Sequence, residues 1–368
     1  MTGSMPKASR EAFMAAWRGE AKDPEVRALR AAMEDHPEFF PLWDALDQLG
    51  DQEIEVSGVN PLLHVTFHAI VRQQEGREDI PEVSRLLQIA QHRGYSRHHA
   101  EHLAALALSH GVWELLYQYE GEEVTRYRQR LRLLGLVVED PELPQRLLRG
   151  ALRNQPCPCG SGKKLKRCCL SFVESVAEPE VGLSPVMWLE SPSPYVMPEF
   201  ARMVDQSDPW LIVHNLSAVA AALEEWGATA AALQAHRQMR EILQSQEPDR
   251  PEDLDFASMV EEDVITLALN HPELAGAGLA ALDWLAAHGF EGDSAVRVSH
   301  QLDRAEFLTY LGREAEAQAL YDQLLEKIRQ GAFDRELREL IFDRYEDWQH
   351  HILPQRGIAA PAGSAASP

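Results

Sequence analysis

An all-α protein is the fold class this sequence predicts, and three observations carry the expectation. Apolar residues recur at helical spacing through most of the chain, alternating runs of β-branched residues are few, and proline, glycine and cap residues fall at the ends of the periodic stretches. With 368 residues, 45% of them hydrophobic and 25% charged, the chain can bury two or three ordinary cores. The expected order is an N-terminal helical bundle, a small knuckle near the middle and a C-terminal helical-repeat domain.

Residues 8 to 50 read as short helices separated by Asp23-Pro24 and His36-Pro37. Asn60-Pro61 then places a cap before a proline at the first helical position and opens a helix through about Glu75. Ser96 caps a longer helix, roughly Arg97 to Tyr119, and Arg126 to Leu134 continues as another. Together these make a histidine-rich bundle over residues 8–135. The knuckle follows at 154–170. Residues 171–209 carry Pro179, Pro185, Pro192, Pro194 and Pro198 among several serines and read as a linker, and the Ala, Gly, Ser and Pro of 355–368 read as a disordered tail.

Between them, residues 210–354 alternate helices with small residues at the turns. Ala305, Leu308, Gly312, Ala317, Tyr321, Leu324 and Leu325 stand at the offsets of a helical hairpin: small residues where two helices touch, glycine at the turn, then an aromatic and leucines facing inward. Ala220, Gly227 and Ala232 repeat the spacing 85 residues earlier, with His236 where the aromatic should be. The pattern resembles a tetratricopeptide-like unit, which implies a stack of helix pairs.

The four cysteines lie within 13 positions, which in a reducing compartment favours metal ligation over a disulfide framework. A cytoplasmic location is expected. Met1 to Arg10 lacks the apolar run of a secretory signal, and no stretch reaches the ~18 uninterrupted apolar residues of a membrane span.

Charge is unevenly placed. The chain carries -23 overall, but the segment from Arg126 to Arg167 holds eleven cations against Glu139, Asp140 and Glu142, a net +8 that leaves -31 for the remainder. Such a segment is expected either to face a partner or to be neutralised by packing against the acidic C-terminal half.

That segment ends in Cys157-Pro158-Cys159-Gly160-Ser161-Gly162-Lys163-Lys164-Leu165-Lys166-Arg167-Cys168-Cys169, the form C-x-C, eight residues, C-C. Four thiolates fill the tetrahedral shell of Zn²⁺ and leave no position for water, so Cys157, Cys159, Cys168 and Cys169 are expected to hold one structural zinc ion. Gly160 and Gly162 permit a tight turn, and Pro156 and Pro158 stiffen the chain leading into it. A four-thiolate zinc centre carries a net charge of about -2, which Lys163, Lys164, Lys166 and Arg167 offset. Loss of the metal is expected to be felt locally, since the helical segments on either side have apolar faces of their own.

This run closely resembles the SEC-C motif, the zinc-binding tail of the bacterial preprotein translocase ATPase SecA, with its C-P-C-G-S-G-K-K followed by C-C or C-H. The resemblance spans about 17 residues. It implies zinc on all four cysteines and a protein partner, in the translocase an acidic chaperone, with contact to the ribosome or membrane. The translocase's phosphate loop G-x-x-x-x-G-K-[ST] is absent from this sequence.

Eight of the fifteen histidines fall between His36 and His110, and His64 with His68 and His98 with His102 stand at i, i+4. Each pair puts two imidazoles on one helix face, a common way for a bundle to present nitrogen ligands. On the helical wheel His98, His99 and His102 point with Leu106, Trp113 and Leu116 toward a core, and Glu75 shares the face of His64 and His68. Two readings stay open: a metal site of His64, His68, His98 and His102, or core histidines satisfied by carbonyls and by carboxylates such as Glu101. His98 to His102 also fits H-x-x-E-H, an inverted zinc-protease motif, with no third ligand placed. Residues 8 to 135 resemble domain of unknown function 1841 at His36-Pro37-Glu38, Asn60 to His68, Gln73-Gln74, His98 to His102 and Trp113, which implies a helical fold and no reaction.

No nucleophile triad, phosphate loop or dinucleotide fingerprint is visible, so a non-enzymatic zinc-binding adaptor is expected. A metal-dependent enzyme using the bundle histidines, and a ribosome- or nucleic-acid-associated factor using the basic segment, are the alternatives. Nucleic acid is the less favoured partner, because Tyr127 alone among the basic residues could stack on a base.

Overall fold

The computed structural model describes residues 7–20, 23–50, 52, 54–56, 60–117, 123–150, 152–177, 209–245, 251–290 and 294–355; residues 178–208 of the proline-rich stretch and 356–368 of the tail lie outside them. Among the described residues the chain is all-α, with sixteen α-helices, a few short 3-10 turns and a single isolated bridge between Pro156 and Lys164. No helix among them is long and apolar enough to cross a membrane. The chain divides into two compact units, Met1–Ala231 and Ala232–Pro368.

The first unit runs α1 (Lys7–Arg18), α2 (Pro24–Glu34), α3 (Phe40–Ala45), α4 (Pro61–Gln74), α5 (Pro81–His92), α6 (Arg97–Tyr117), α7 (Glu123–Glu139), α8 (Leu143–Leu148), α9 (Leu170–Ala177) and α10 (Pro209–Glu225). Local signals set the starts of these helices. Asp23 accepts from the Glu25 amide at 2.8 Å, Asn60 Oδ1 from the Leu63 amide at 3.0 Å ahead of Pro61, and Ser96 Oγ from the His99 amide at 3.1 Å. Each satisfies an amide that the helix cannot, worth about 1 kcal/mol. The expected helices at Asn60, Ser96 and Arg126 are all present, the last one longer than its periodicity indicated.

Two packed regions meet along α6. On one side α2, α4 and α6 come together, with Met33, Leu42, Trp43, Leu62 and Val65 buried near the 3-10 turn at Pro37–Phe39. On the other, α5, α6 and α7 pack through Val83, Leu86, Leu87, Leu103, Leu131 and Leu134. That second core does not stop at the helices. Cys157, Cys159, Leu165 and Cys169 of the knuckle and Leu170, Phe172 and Val173 of α9 belong to it. The knuckle thus shares its core with the bundle.

In the second unit, α12 (Pro251–Asn270), α13 (Ala275–Ala287), α14 (Ser294–Tyr310), α15 (Glu314–Arg329) and α16 (Arg335–Asp347) form antiparallel pairs, preceded by α11 (Thr229–Ser245), which starts in the first unit. The expected hairpin is there. Ala305 and Ala317 are fully buried where α14 and α15 touch, Gly312 takes φ 74° in the turn, and Tyr321 and Leu324 face inward. Leu325 is half-buried. Arg344 ties α16 to Asp303 at 2.8 Å and Glu306 at 3.0 Å, and the Trp348 indole N–H donates to Thr309 Oγ1. Gly227 takes φ 73° between α10 and α11, and His236, at the aromatic position, is buried, which pushes its pKa down to about 4.

Candidate metal centres

The knuckle is a closed loop held by its own backbone. Cys157 N donates to Lys163 O at 2.8 Å, Gly160 N to Cys157 O at 3.2 Å, Leu165 N to Gln155 O at 3.0 Å and Cys168 N to Leu165 O at 3.0 Å. Gly160 and Gly162 take φ 80° and 71°, the left-handed conformation their sequence positions require. These turns bring one Sγ from each of Cys157, Cys159, Cys168 and Cys169 within 4.8 Å of one another, with Cys159 to Cys168 at 3.5 Å and Cys168 to Cys169 at 3.6 Å.

A zinc ion fits this donor set. Zinc–sulfur bonds of about 2.3 Å in a tetrahedron separate the sulfurs by roughly 3.8 Å, close to the spacings present. Electrostatics agree. Hydrogen bonds from Cys157 and Cys169 hold the Cys159 thiol far below the usual range, while the hydrogen bond to Cys159 pushes Cys157 up to about 12 and the contacts to Cys157 and Cys159 raise Cys169 further. One thiolate is stabilised, and Cys157 and Cys169 resist ionising beside it; a bound dication removes that conflict. Ser161 Oγ lies 3.1 Å and Gln129 Oε1 3.5 Å from Cys168 Sγ, so α7 supplies an outer contact to the centre.

The basic segment resolves into two groups. Arg128 and Arg132 both grip Glu82, Arg146 pairs with Asp140, Arg153 lies 3.9 Å from Glu174 and Arg130 sits over the Phe172 ring at 5.6 Å. These cations are occupied within the first unit. Lys163, Lys164, Lys166 and Arg167 are exposed on the knuckle. Beside it, Leu86 and Ile89 of α5, Leu131 and Gly135 of α7 and Pro158 and Gly160 line a groove of about 400 Å³.

A second cluster forms where α2, α4 and α6 meet. His64 and His68 project from α4, His98 and His102 from α6, and His36 joins from the residues between α2 and the 3-10 turn. Ring centroids lie 4.7 Å apart for His36 and His64, 4.4 Å for His68 and His98, and 4.3 Å for His98 and His102. One nitrogen each from His36, His64, His68 and His98 falls within 4.8 Å of the others. His102 lies beside this tetrad, its Nε2 3.4 Å from His64 Nε2. Burial pushes His36 and His64 down to about 3 and lowers His68, His98 and His102 well below the ordinary imidazole value, so all five rings are neutral at physiological pH.

Two buried carboxylates orient the rings. His68 Nδ1 lies 2.9 Å from Glu101 Oε2 and His36 Nδ1 3.3 Å from Glu38 Oε1. Glu101, 1% exposed, also accepts from Arg72 Nη2 at 2.8 Å and Arg97 Nε at 2.8 Å, and Arg72 reaches on to Asp35. Burial pushes Glu38 up to about 7. In the H-x-x-E-H string, therefore, Glu101 is committed to two guanidinium groups and an imidazole.

The fold brings His64, His68, His98 and His102 to one place and adds His36, which the spacing did not include. His36 lies outside any helix, so a search by i, i+4 spacing does not reach it; the signal was its place in His36-Pro37-Glu38. Glu75 is a correction. The α4 helix ends at Gln74, Glu75 turns into extended backbone, and its carboxylate pairs with Arg97 rather than with the histidines. His99 is buried against Tyr95, ring centroids 5.4 Å apart, and Leu106 is half-buried. The side chains of Trp113 and Leu116 lie outside the described residues.

Comparison with known proteins matches both regions separately. Residues 153–171 match the SEC-C motif, and residues 6–132 match the domain of unknown function DUF1841. Among curated proteins, the chain is similar to protein translocase subunit SecA of Trichlorobacter lovleyi, 40% identical over 57 residues, which is 15% of this chain and 6% of that protein. It is likewise similar to SecA of Geobacter metallireducens, 46% identical over 50 residues, 13% of this chain and 6% of that protein. The chain thus spans about 6% of the length of these relatives. No solved structure matches the chain.

Proposed function

We propose that this protein is a non-enzymatic, zinc-binding interaction protein whose SEC-C knuckle presents a basic face to an acidic protein partner. One observation carries the reading. Lys163, Lys164, Lys166 and Arg167 lie exposed within five positions of one another on a loop anchored in the bundle core. A rigidly held cluster of exposed charge gives fast, salt-sensitive recognition of an opposite surface. The similarity to translocase tails points to a protein partner, an acidic chaperone or a ribosome surface, in the reducing cytoplasm where the thiols persist as ligands. The helix pairs of the second unit, read as tetratricopeptide-like, supply a further protein-binding surface.

Reversing Lys163, Lys164, Lys166 and Arg167 to glutamate is expected to abolish capture of the acidic partner. In the wild type the same capture weakens steeply between about 0.05 and 0.2 M salt, because exposed charges are screened beyond ~10 Å at 0.1 M. Zinc content and helicity are measured alongside. A reversed protein that keeps its zinc, its fold and its partner contradicts the proposal and moves binding to the second unit.

A further inference from the structure

We propose that His36, His64, His68 and His98 form a second metal site, holding one first-row divalent transition-metal ion where α2, α4 and α6 meet. The inference does not depend on the knuckle or on the interaction reading above.

Convergence is the first support. Three separate elements deliver imidazoles so that four ring nitrogens share a space 4.8 Å across. Metal–nitrogen bonds of about 2.0 Å in a tetrahedron need nitrogens roughly 3.3 Å apart, so a small inward movement of the rings closes the shell. Five histidines in one core are costly on any other account. His68 Nε2, His102 Nδ1 and both ring nitrogens of His98 are buried with no hydrogen-bond partner, although His98 as a residue is only half-buried. Each such group forfeits about 1–3 kcal/mol of solvation unless something accepts it. A cation bound by the four histidines takes the lone pair of His68 Nε2 and of one His98 nitrogen.

Orientation is the second support. A ligating histidine commonly gives its other ring N–H to a carboxylate, which fixes the tautomer and aims the free nitrogen at the ion. His68 has that arrangement through Nδ1 to Glu101, and His36 through Nδ1 to Glu38. Glu101 is held in turn by Arg72 from α4 and Arg97 from α6, so the outer shell ties together the same helices that supply the ligands.

The donor set selects the ion. Neutral imidazoles suit zinc, iron, cobalt, nickel or copper and not the oxygen-seeking magnesium or calcium. Four protein nitrogens leave no open position, and Glu101 is bound to two arginines, so the centre is structural: it pins α4 and α6 to the residues following α2. His102, 3.4 Å from His64, packs beside the ion without belonging to the four.

The test uses the full-length chain carrying Cys157→Ser and Cys168→Ser, which removes the knuckle's metal and leaves every histidine in place. After equilibration with Zn²⁺ and dialysis, this variant is expected to retain one zinc per chain against two in the wild type. Loaded with Co²⁺, it should show ligand-field bands without the thiolate-to-cobalt charge transfer that the knuckle produces. Adding His36→Ala and His68→Ala removes the remaining equivalent, whereas His102→Ala keeps it. A helical cysteine variant that binds neither Zn²⁺ nor Co²⁺ overturns the proposal. So does loss of the ion with His102→Ala but not with His36→Ala. If the cysteine variant does not fold, the Co²⁺ titration of the wild-type chain decides: two equivalents, one of them without thiolate charge transfer, support the proposal, and a single thiolate-ligated equivalent overturns it.

Discussion

Cys157→Ser is expected to cost the chain its knuckle-bound zinc and, with it, the stability of the α5–α7 half of the bundle. In an isolated knuckle the damage would be local. Here Cys157, Cys159 and Cys169 are 4%, 1% and 4% exposed and Leu165 is fully buried, all in the core that contains Leu86, Leu103 and Leu131. A structural zinc ion contributes folding free energy outright, on the order of 10 kcal/mol in zinc-finger peptides, and the loop has no regular secondary structure to replace it. Once the loop opens, α5, α7 and α9 lose the surface they pack on. Hydrogen exchange should therefore show faster exchange in Pro81–His92, Glu123–Glu139 and Leu170–Ala177, not only around the mutated position. Zinc loss with unchanged protection in α5 and α7 would show that the bundle does not depend on the knuckle.

The second large effect is expected from Glu101→Ala. Glu101 is 1% exposed and receives Arg72, Arg97 and His68 at once. Removing the carboxylate leaves a largely buried guanidinium and a buried imidazole without their acceptor. Breaking such a buried pair from one side costs about 3–5 kcal/mol, far more than an exposed ion pair of the Arg18–Asp47 kind, whose partners are about half exposed. Glu101→Gln keeps the shape and part of the hydrogen bonding and should lose less. With an ion on His68, either change also loosens the metal by roughly 10–100-fold, because the carboxylate no longer fixes the ring. A urea midpoint for Glu101→Ala within about 0.5 kcal/mol of the wild type would sink this account of the α4–α6 junction.

Much of this was legible before any coordinates because the signals were local. Asn60-Pro61 and Ser96 mark helix starts through hydrogen bonds spanning three residues, and both helices begin where those residues put them. The cysteine spacing works the same way, since a loop of 13 positions leaves its four thiols little freedom to be anywhere but together. What was not legible is what depends on contacts distant in sequence. The knuckle's Leu165 and Cys159 share one core with Leu131 of α7, and no periodicity encodes that. His36 reaches His64 and His98 across the bundle from a segment that is not helical, so spacing rules gave it no weight. The charge pattern misled in a similar way. A net +8 looked like one surface, yet Glu82 on α5 takes two of its arginines and Asp140 a third.

Whether the four-cysteine knuckle holds zinc as an integral part of the bundle is decided by native mass spectrometry of the full chain. The chain is purified without chelator, its thiols kept reduced, and its mass compared before and after mild acid removes metal. The account predicts bound zinc in the native protein, with one equivalent lost in the Cys157→Ser, Cys168→Ser variant. A native, fully helical chain at its bare polypeptide mass, with four free reduced thiols, would contradict it.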